Sequence, residues 1–224
     1  MVSAIVLAGG RGKRMGSVQS KQYIDLNGRP ILYYTLNRFI NNNNIDKVIL
    51  VIPEDELKYC QREVLDKYNL TVDSIALGGK ERQDSVYNGL KKAEGSDIVL
   101  IHDGARPFVS EKIIYDGIRY AEIYGAAAPG VMPKDTIKVK NTEGFSVETP
   151  ERSRLVAVQT PQIFNYHMIL KCHEKVKENK LEVTDDTMVA ELFGNDVYLY
   201  EGEYTNIKIT TPEDLILAQY LVKP

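Results

Sequence analysis

The chain is poor in the residues that build metal and disulfide sites. Cys60 and Cys172 are its only thiols, and they stand too far apart in sequence to form a C-x-x-C pair. That excludes a zinc knuckle and a disulfide scaffold, and it reads as the inert thiol usage of a cytosolic protein. There are three histidines: His102, His167 and His173. The last two read as ordinary helix residues, and their spacing with Cys172 suits no standard metal site. No Ser-His-Asp or Cys-His constellation for nucleophilic catalysis is present. Tryptophan is absent altogether. No apolar run is long enough to span a bilayer. The first run ends in Gly9-Gly10 and is followed by cations, which makes it a strand rather than a signal peptide. Positive charge is not in excess: 28 basic against 31 acidic residues leave a net charge of −3, and the pI is about 5.7. A nucleic-acid surface would want a basic face. Repeats, low-complexity tracts and linkers are missing as well. With 224 residues the chain suffices for one α/β domain with a substantial core and is tight for two.

Against this background the opening stretch stands out. Ala4-Ile5-Val6-Leu7-Ala8-Gly9-Gly10-Arg11-Gly12-Lys13-Arg14-Met15-Gly16 runs from a short strand into a loop rich in glycine and cations, with Lys21 five residues on. Glycines let backbone N–H groups approach a ligand closely, and adjacent amides form an anion-binding concavity. Local positive charge in a mildly acidic chain suits a small anion rather than a polymer. A polyphosphate is the natural occupant.

Apolar runs alternate with helical patterns through the first half of the chain. The pattern predicts strands over residues 5–8, 48–52, 72–77 and 98–102, and helices over 31–40, 55–67, 82–93 and 111–124. Val86, Leu90 and Ala93 fall on one apolar face, Pro30 suits a first helical turn, and Ser110 suits an N-cap. Continuous apolar strands alternating with helices imply a mainly parallel α/β sheet covered on both faces. Ligands of such sheets sit beyond the carboxyl ends of strands, where the glycine-rich loop and His102-Asp103 both fall. Residues 136–140 then alternate, 141–144 read as a turn, and 145–148 return, which predicts a β-hairpin arm. The arm is either a dimer contact or a plain surface hairpin. Helices follow over 166–178 and 185–193, then a strand over 197–200. Thr211-Pro212-Glu213-Asp214 opens a last helix with a cap, a first-turn proline and two acids.

The loop is neither of two familiar phosphate loops. Gly12-Lys13 is followed by Arg14 rather than the Ser or Thr of a Walker A loop. Gly10-Arg11-Gly12 begins a dinucleotide fingerprint, but Met15 breaks it and no acidic residue follows at the required place. The stretch Leu7-Ala8-Gly9-Gly10-Arg11-Gly12-Lys13-Arg14-Met15 with Lys21-Gln22-Tyr23 instead resembles the opening of the sugar-nucleotide cytidylyltransferases. Within them it is most similar to the 2-C-methyl-D-erythritol 4-phosphate cytidylyltransferase family. Further motifs stand in that family's order: Gly78-Gly79-x-x-Arg82-x-x-Ser85-Val86, His102-Asp103-Gly104-Ala105-Arg106-Pro107, Lys134-Asp135-Thr136-Ile137-Lys138 and Glu151-Arg152-x-x-Leu155. Gln159-Thr160-Pro161-Gln162, Thr184-Asp185-Asp186 and Asn206-Ile207-Lys208-Ile209-Thr210 follow. The resemblance covers nearly the whole chain.

It implies a Rossmann-like nucleotidyltransferase domain over residues 1–224, with a dimerisation arm at about 133–156 and CTP and a small polyol phosphate as substrates. It implies that Arg14 and Lys21 stabilise the transition state, that Lys208 orients the attacking phosphate, and that Arg152 and Thr136 reach the sugar phosphate from a neighbouring subunit. Ala8, Gly9, Gly10, Gly12, Gly79 and Ser85 correspond to nucleotide contacts. Asp103, Gly104, Arg106 and Thr184 correspond to residues near the polyol and phosphate. Asp103 is also a candidate contact for magnesium held mainly by the triphosphate, since hard cations take oxygen ligands and keep waters. Three positions depart from the family pattern: Ala8-Gly9-Gly10 for Ala-Ala-Gly, Val156 for tryptophan and Gly104 for alanine. A ribitol 5-phosphate cytidylyltransferase and a non-catalytic nucleotide-binding module are the competing readings. The expected protein is a cytoplasmic homodimer with no membrane or nucleic-acid partner.

Overall fold

A computed structural model of the chain describes residues 1–9 and 20–222. The chain order is β1 (Val2–Leu7), β2 (Asp25–Leu26), β3 (Arg29–Pro30), α1 (Ile31–Ile40), β4 (Lys47–Ile52), α2 (Leu57–Cys60), β5 (Ser74–Leu77), α3 (Arg82–Lys92), β6 (Ile98–Asp103), α4 (Glu111–Tyr124) and β7 (Ala126–Val131). Then come β8 (Val139–Lys140), β9 (Ser146–Glu148), β10 (Ala157–Val158), β11 (Gln162–Asn165), α5 (Tyr166–Glu178), α6 (Asp186–Leu192), β12 (Tyr198–Glu201) and α7 (Pro212–Leu221).

Among the described residues, eight strands form one sheet in the order β10-β7-β11-β6-β1-β4-β5, with β12 also paired to β7. β1 lies parallel to both β4 and β6, β4 to β5, and β12 to β7. Only β10 and β11 run against their neighbours. The sheet is thus mainly parallel. Successive side chains of a strand point to opposite faces, and β1 shows the result. Ala4 and Val6 join α1 and α4 on one face, while Ile5 joins α3, α5 and α6 on the other. Strands buried on both faces need continuous apolar sequence. Each fully buried Ile, Leu or Phe contributes roughly 1.5–3 kcal/mol. At Gly89 a Cβ would stand 2.6 Å from Ile5 Cγ2, so glycine lets α3 lie close against β1.

Helices α1, α4 and α5 have the bounds that the sequence predicts. Ser110 Oγ accepts the Ile113 N–H of α4, and Thr211 Oγ1 accepts the Asp214 N–H of α7. Val86, Leu90 and Ala93 are fully buried. Several expectations need correction. The helix expected over 55–67 is composite: a 3₁₀ turn (Glu54–Glu56), α2 and a π turn (Gln61–Asp66), which turn Cys60, Val64 and Leu65 inward. Pro30 caps α1 rather than entering its first turn. The arm pairs only Val139–Lys140 with Ser146–Glu148, and every residue from 134 to 149 is exposed. Lys208 lies outside the sheet, on a segment with no regular secondary structure. Strand β7 has no β-branched alternation; its Ala-Ala-Ala-Pro-Gly is buried by its neighbours, because strand formation follows tertiary context. Val156 Cγ1 occupies the space beside Gly130, 2.2 Å from where a Cβ would sit. Burial pushes the Cys60 thiol up to about 11 and the Cys172 thiol also upward, as inert cysteines require.

His102, at the end of β6, is wholly buried against Phe39. Its Nδ1 meets Thr160 Oγ1 at 3.1 Å and its Nε2 the Arg106 carbonyl at 3.0 Å. Burial lowers its pKa to about 4. In the unfolded chain an imidazole binds its proton near pH 6.5, so the unfolded state takes up more protons between those values. Stability is therefore complete above about pH 6.5 and falls as the pH drops towards 4, by about 3 kcal/mol from this residue. Urea unfolding at pH 7.5 and pH 4.5 should show that loss, and His102→Gln should flatten it. An equal loss in both proteins would assign the acid sensitivity elsewhere.

Candidate active site

A cleft open to solvent lies at the carboxyl ends of β1 and β6. One wall is the end of β1, Ala8 and Gly9, with Gly104 beside them. The opposite wall is the segment before α3. There the Gly79 N–H donates to Ser85 Oγ at 3.0 Å, and Ser85 Oγ donates to the Glu81 carbonyl at 3.1 Å. A Cβ on Gly79 would fall 2.2 Å from Asp84 Cβ. Only glycine therefore lets this segment lie so close against the first turn of α3.

Lys21 enters the cleft from a 3₁₀ turn (Lys21–Tyr23). The turn is pinned by its neighbour Gln22, which is buried. Gln22 Nε2 donates to the Ala8 carbonyl at 2.6 Å and to Glu56 Oε2 at 2.8 Å. The Ser20 hydroxyl donates to Glu56 Oε1. Glu56 thus ties the Lys21 turn to the segment after β4.

The floor is electrostatic. Asp103 ends β6, with only 13% of its side chain exposed. Its Oδ2 lies 2.7 Å from Lys208 Nζ and 3.8 Å from Arg106 Nε, and its Oδ1 lies 3.8 Å from Arg82 Nε. Burial pushes the Asp103 carboxyl up, but Lys208, Arg82 and Arg106 outweigh it and hold it well below the usual carboxylate range. Arg106 is fixed by its Nη1 bond to the Asn206 carbonyl at 2.7 Å. Lys208 is brought in by the Ile209 N–H bond to the Ala105 carbonyl, 2.9 Å long. One carboxylate among three cations keeps guanidinium and ammonium groups assembled in a partly buried place. Such a site suits an arriving polyanion.

Ala8, Gly9, Lys21, Gly79, Ser85, Asp103, Gly104 and Lys208 therefore converge, with Arg106 behind Asp103. Thr184 does not line the cleft; its hydroxyl lies 3.5 Å from Met188 Sδ. Arg152 and Thr136 do not reach it either. They sit together at the root of the arm, with Arg152 Nη2 donating to Thr136 Oγ1 at 3.2 Å. Gly10, Gly12 and Arg14 lie outside the described residues. Three residues of the site were not singled out by sequence reasoning: Gln22, Arg82 and Asp186. Each stands inside a motif quoted above, but its partners are far away along the chain, and Asp186 is 104 residues from Arg82.

A family model for 2-C-methyl-D-erythritol 4-phosphate cytidylyltransferase matches residues 2–224. The chain belongs to this family. A protein of that description from Clostridium beijerinckii is 68% identical over 223 residues, covering 100% of this chain and 99% of its own length. One from Clostridium botulinum (strain Eklund 17B) is 63% identical over 222 residues and covers 99% of each chain. Among solved structures, the 4-diphosphocytidyl-2C-methyl-D-erythritol synthase of Anaerococcus prevotii superposes with a TM-score of 0.87 at 35% identity, covering 100% of this chain and 96% of that one. The chain is thus a cytidylyltransferase with the nucleotidyltransferase fold. In this member of the methylerythritol phosphate cytidylyltransferase family, Val156 covers the Gly130 position at the base of the arm.

Proposed function

We propose that the protein transfers CMP from CTP to 2-C-methyl-D-erythritol 4-phosphate, giving 4-diphosphocytidyl-2-C-methyl-D-erythritol and pyrophosphate in non-mevalonate isoprenoid biosynthesis. The observation that carries this reading is the gathering of Arg82, Arg106 and Lys208 about Asp103, with Lys21 lining the same cleft as Gly79 and Ser85, in a chain that matches the family from end to end. An oxygen of the sugar phosphate attacks the α-phosphorus. The bond from that phosphorus to the α,β-bridging oxygen breaks, and its electron pair leaves on pyrophosphate. A phosphomonoester has its second pKa near 6 and arrives as a dianion. It needs no base, and His102, buried and held neutral, offers none. The barrier is the approach of an anion to a polyanion, so positioning and charge neutralisation carry the catalysis.

In this reading Arg14 and Lys21 hold the α-phosphate and the departing pyrophosphate. Lys208 exchanges Asp103 for the attacking phosphate, while Asp103, Gly104, Arg106 and Thr184 surround the polyol and phosphate. The nucleotide lies against Ala8, Gly9, Gly10, Gly12, Gly79 and Ser85. Arg152 and Thr136 act from the arm of a second copy in a homodimer. The exposure of Ile137, Val139, Phe145 and Val147 on the arm supports such a contact. Among the described residues no three acidic, histidine or cysteine side chains gather as a metal cage, and Asp103 is ringed by cations. A magnesium ion held mainly by the CTP phosphates, with Asp103 as its candidate protein contact, would supply further neutralisation of triphosphate charge. No helix among the described residues is long and apolar enough to cross a membrane, and the two free thiols suit a reducing cytoplasm.

The test is pyrophosphate release with CTP, magnesium and either acceptor. Release with methylerythritol 4-phosphate and not with ribitol 5-phosphate is the expected result. Release with ribitol 5-phosphate alone would keep the mechanism and change the acceptor. Saturable CTP binding without release would mean a nucleotide-binding module.

A further inference from the structure

Behind the cleft, the buried side chains of Asp186 and His173 form a file with Arg82, and the reaction above gives that file no role. Asp186, the first residue of α6, is 1% exposed and accepts at both carboxylate oxygens. His173 Nε2, from α5, meets Oδ1 at 3.1 Å, and Arg82 Nη2, from α3, meets Oδ2 at 2.7 Å. The Asp186 backbone N–H donates to Gln162 Oε1 at 2.9 Å, and Gln162 Nε2 donates to Asp185 Oδ2 at 2.8 Å. The carboxylate is therefore fixed from α3 and α5, and its backbone from β11. Burial pushes the Asp186 carboxyl up, but Arg82 and His173 outweigh it and keep it ionised.

Arg82 stands between two carboxylates. Its tight bond points back to Asp186, away from the cleft, and its Nε faces Asp103 Oδ1 at only 3.8 Å. The Arg82 side chain is 32% exposed, and it lines the cleft. A guanidinium is a planar fork that pairs with a carboxylate through two parallel bonds. Without a second anchor it would close on Asp103, whose Oδ2 already holds Lys208 at 2.7 Å. Lys208 would then lose its partner, and Arg82 would leave the cleft surface.

We propose that Asp186, steadied by His173, is a positioning residue that holds Arg82 open toward the substrates and so preserves the Asp103–Lys208 pair. The proposal rests on the cytidylyltransferase reading, so the unaltered protein is assayed first. If it releases no pyrophosphate, that reading fails and the proposal falls with it.

The experiment compares kcat and KM for both substrates, with thermal midpoints, in Asp186→Asn, Arg82→Lys and the double variant. Arg82→Lys keeps the charge and removes the fork, so one ammonium cannot serve both carboxylates. Each single substitution should lower kcat/KM about tenfold or more, and the double variant should be no worse than the weaker single, because residues acting through one another are not additive. Asp186→Glu should recover part of the loss. Losses that multiply in the double variant, or that follow the fall in thermal midpoint alone, would assign Asp186 to stability and overturn the proposal. Single variants within about twofold of the unaltered enzyme would overturn it too. Should Asp186→Asn fail to fold, His173→Phe removes only the donor behind Asp186, and its non-additivity with Arg82→Lys decides the same question.

Discussion

Lys21→Ala protein should turn over about a hundredfold more slowly than the unaltered enzyme, or worse, while binding CTP nearly as tightly. In the ground state the proposed triphosphate site offers other cations and backbone amides as well, so one lost cation should weaken binding only modestly. During transfer, charge accumulates on the α-phosphate oxygens and on the departing pyrophosphate. A fixed ammonium at that place gains most when the charge is greatest. Lys21 is suited to this because its turn is anchored twice, through Gln22 to the Ala8 carbonyl and to Glu56. Single-turnover rates and CTP titration by calorimetry separate the two effects. Near-normal turnover would remove Lys21 from the chemistry, and an equal loss in affinity and rate would make it a binding residue only.

Mixing two inactive proteins should restore activity if the site is shared. Lys208→Ala removes the cation at the cleft, whereas Arg152→Ala removes one from the arm, which carries its Thr136 partner well outside the cleft lining. In a mixed dimer one of the two sites then has both residues intact. With random exchange of subunits, about a quarter of all sites are complete, so the mixture should recover about a quarter of the unaltered activity. Arg152→Ala alone should raise the KM for the sugar phosphate and leave CTP binding unchanged. No recovery after verified exchange would place Arg152 in its own subunit's site or outside the reaction.

Much of this was written locally. The alternation of apolar runs and helical periods predicts the parallel half of the sheet, because strands covered on both faces must be apolar throughout and α-helices must keep an apolar stripe. Caps at Ser110 and Thr211 are legible for the same reason: each hydroxyl meets an N–H only three residues away. Gly79 and Ser85 are near in sequence as well as in space, so the hydrogen bond between them is legible from a motif. The small-residue strand β7 and the short β10 and β11 are not, since they are strands only by virtue of what flanks them.

The sequence by itself therefore determined the fold class and the cytidylyltransferase family, and it singled out Lys21, Arg106 and Lys208 but not Arg82. The tertiary structure alone decided how those charges are arranged. It placed Lys208 against Asp103, 105 positions earlier in the chain, and set Arg82 between Asp103 and the buried Asp186. Propensity and periodicity act over a few residues, whereas an ion pair depends on which loops the sheet order brings to one edge. That order is settled by packing the whole core, and no short stretch of sequence carries it.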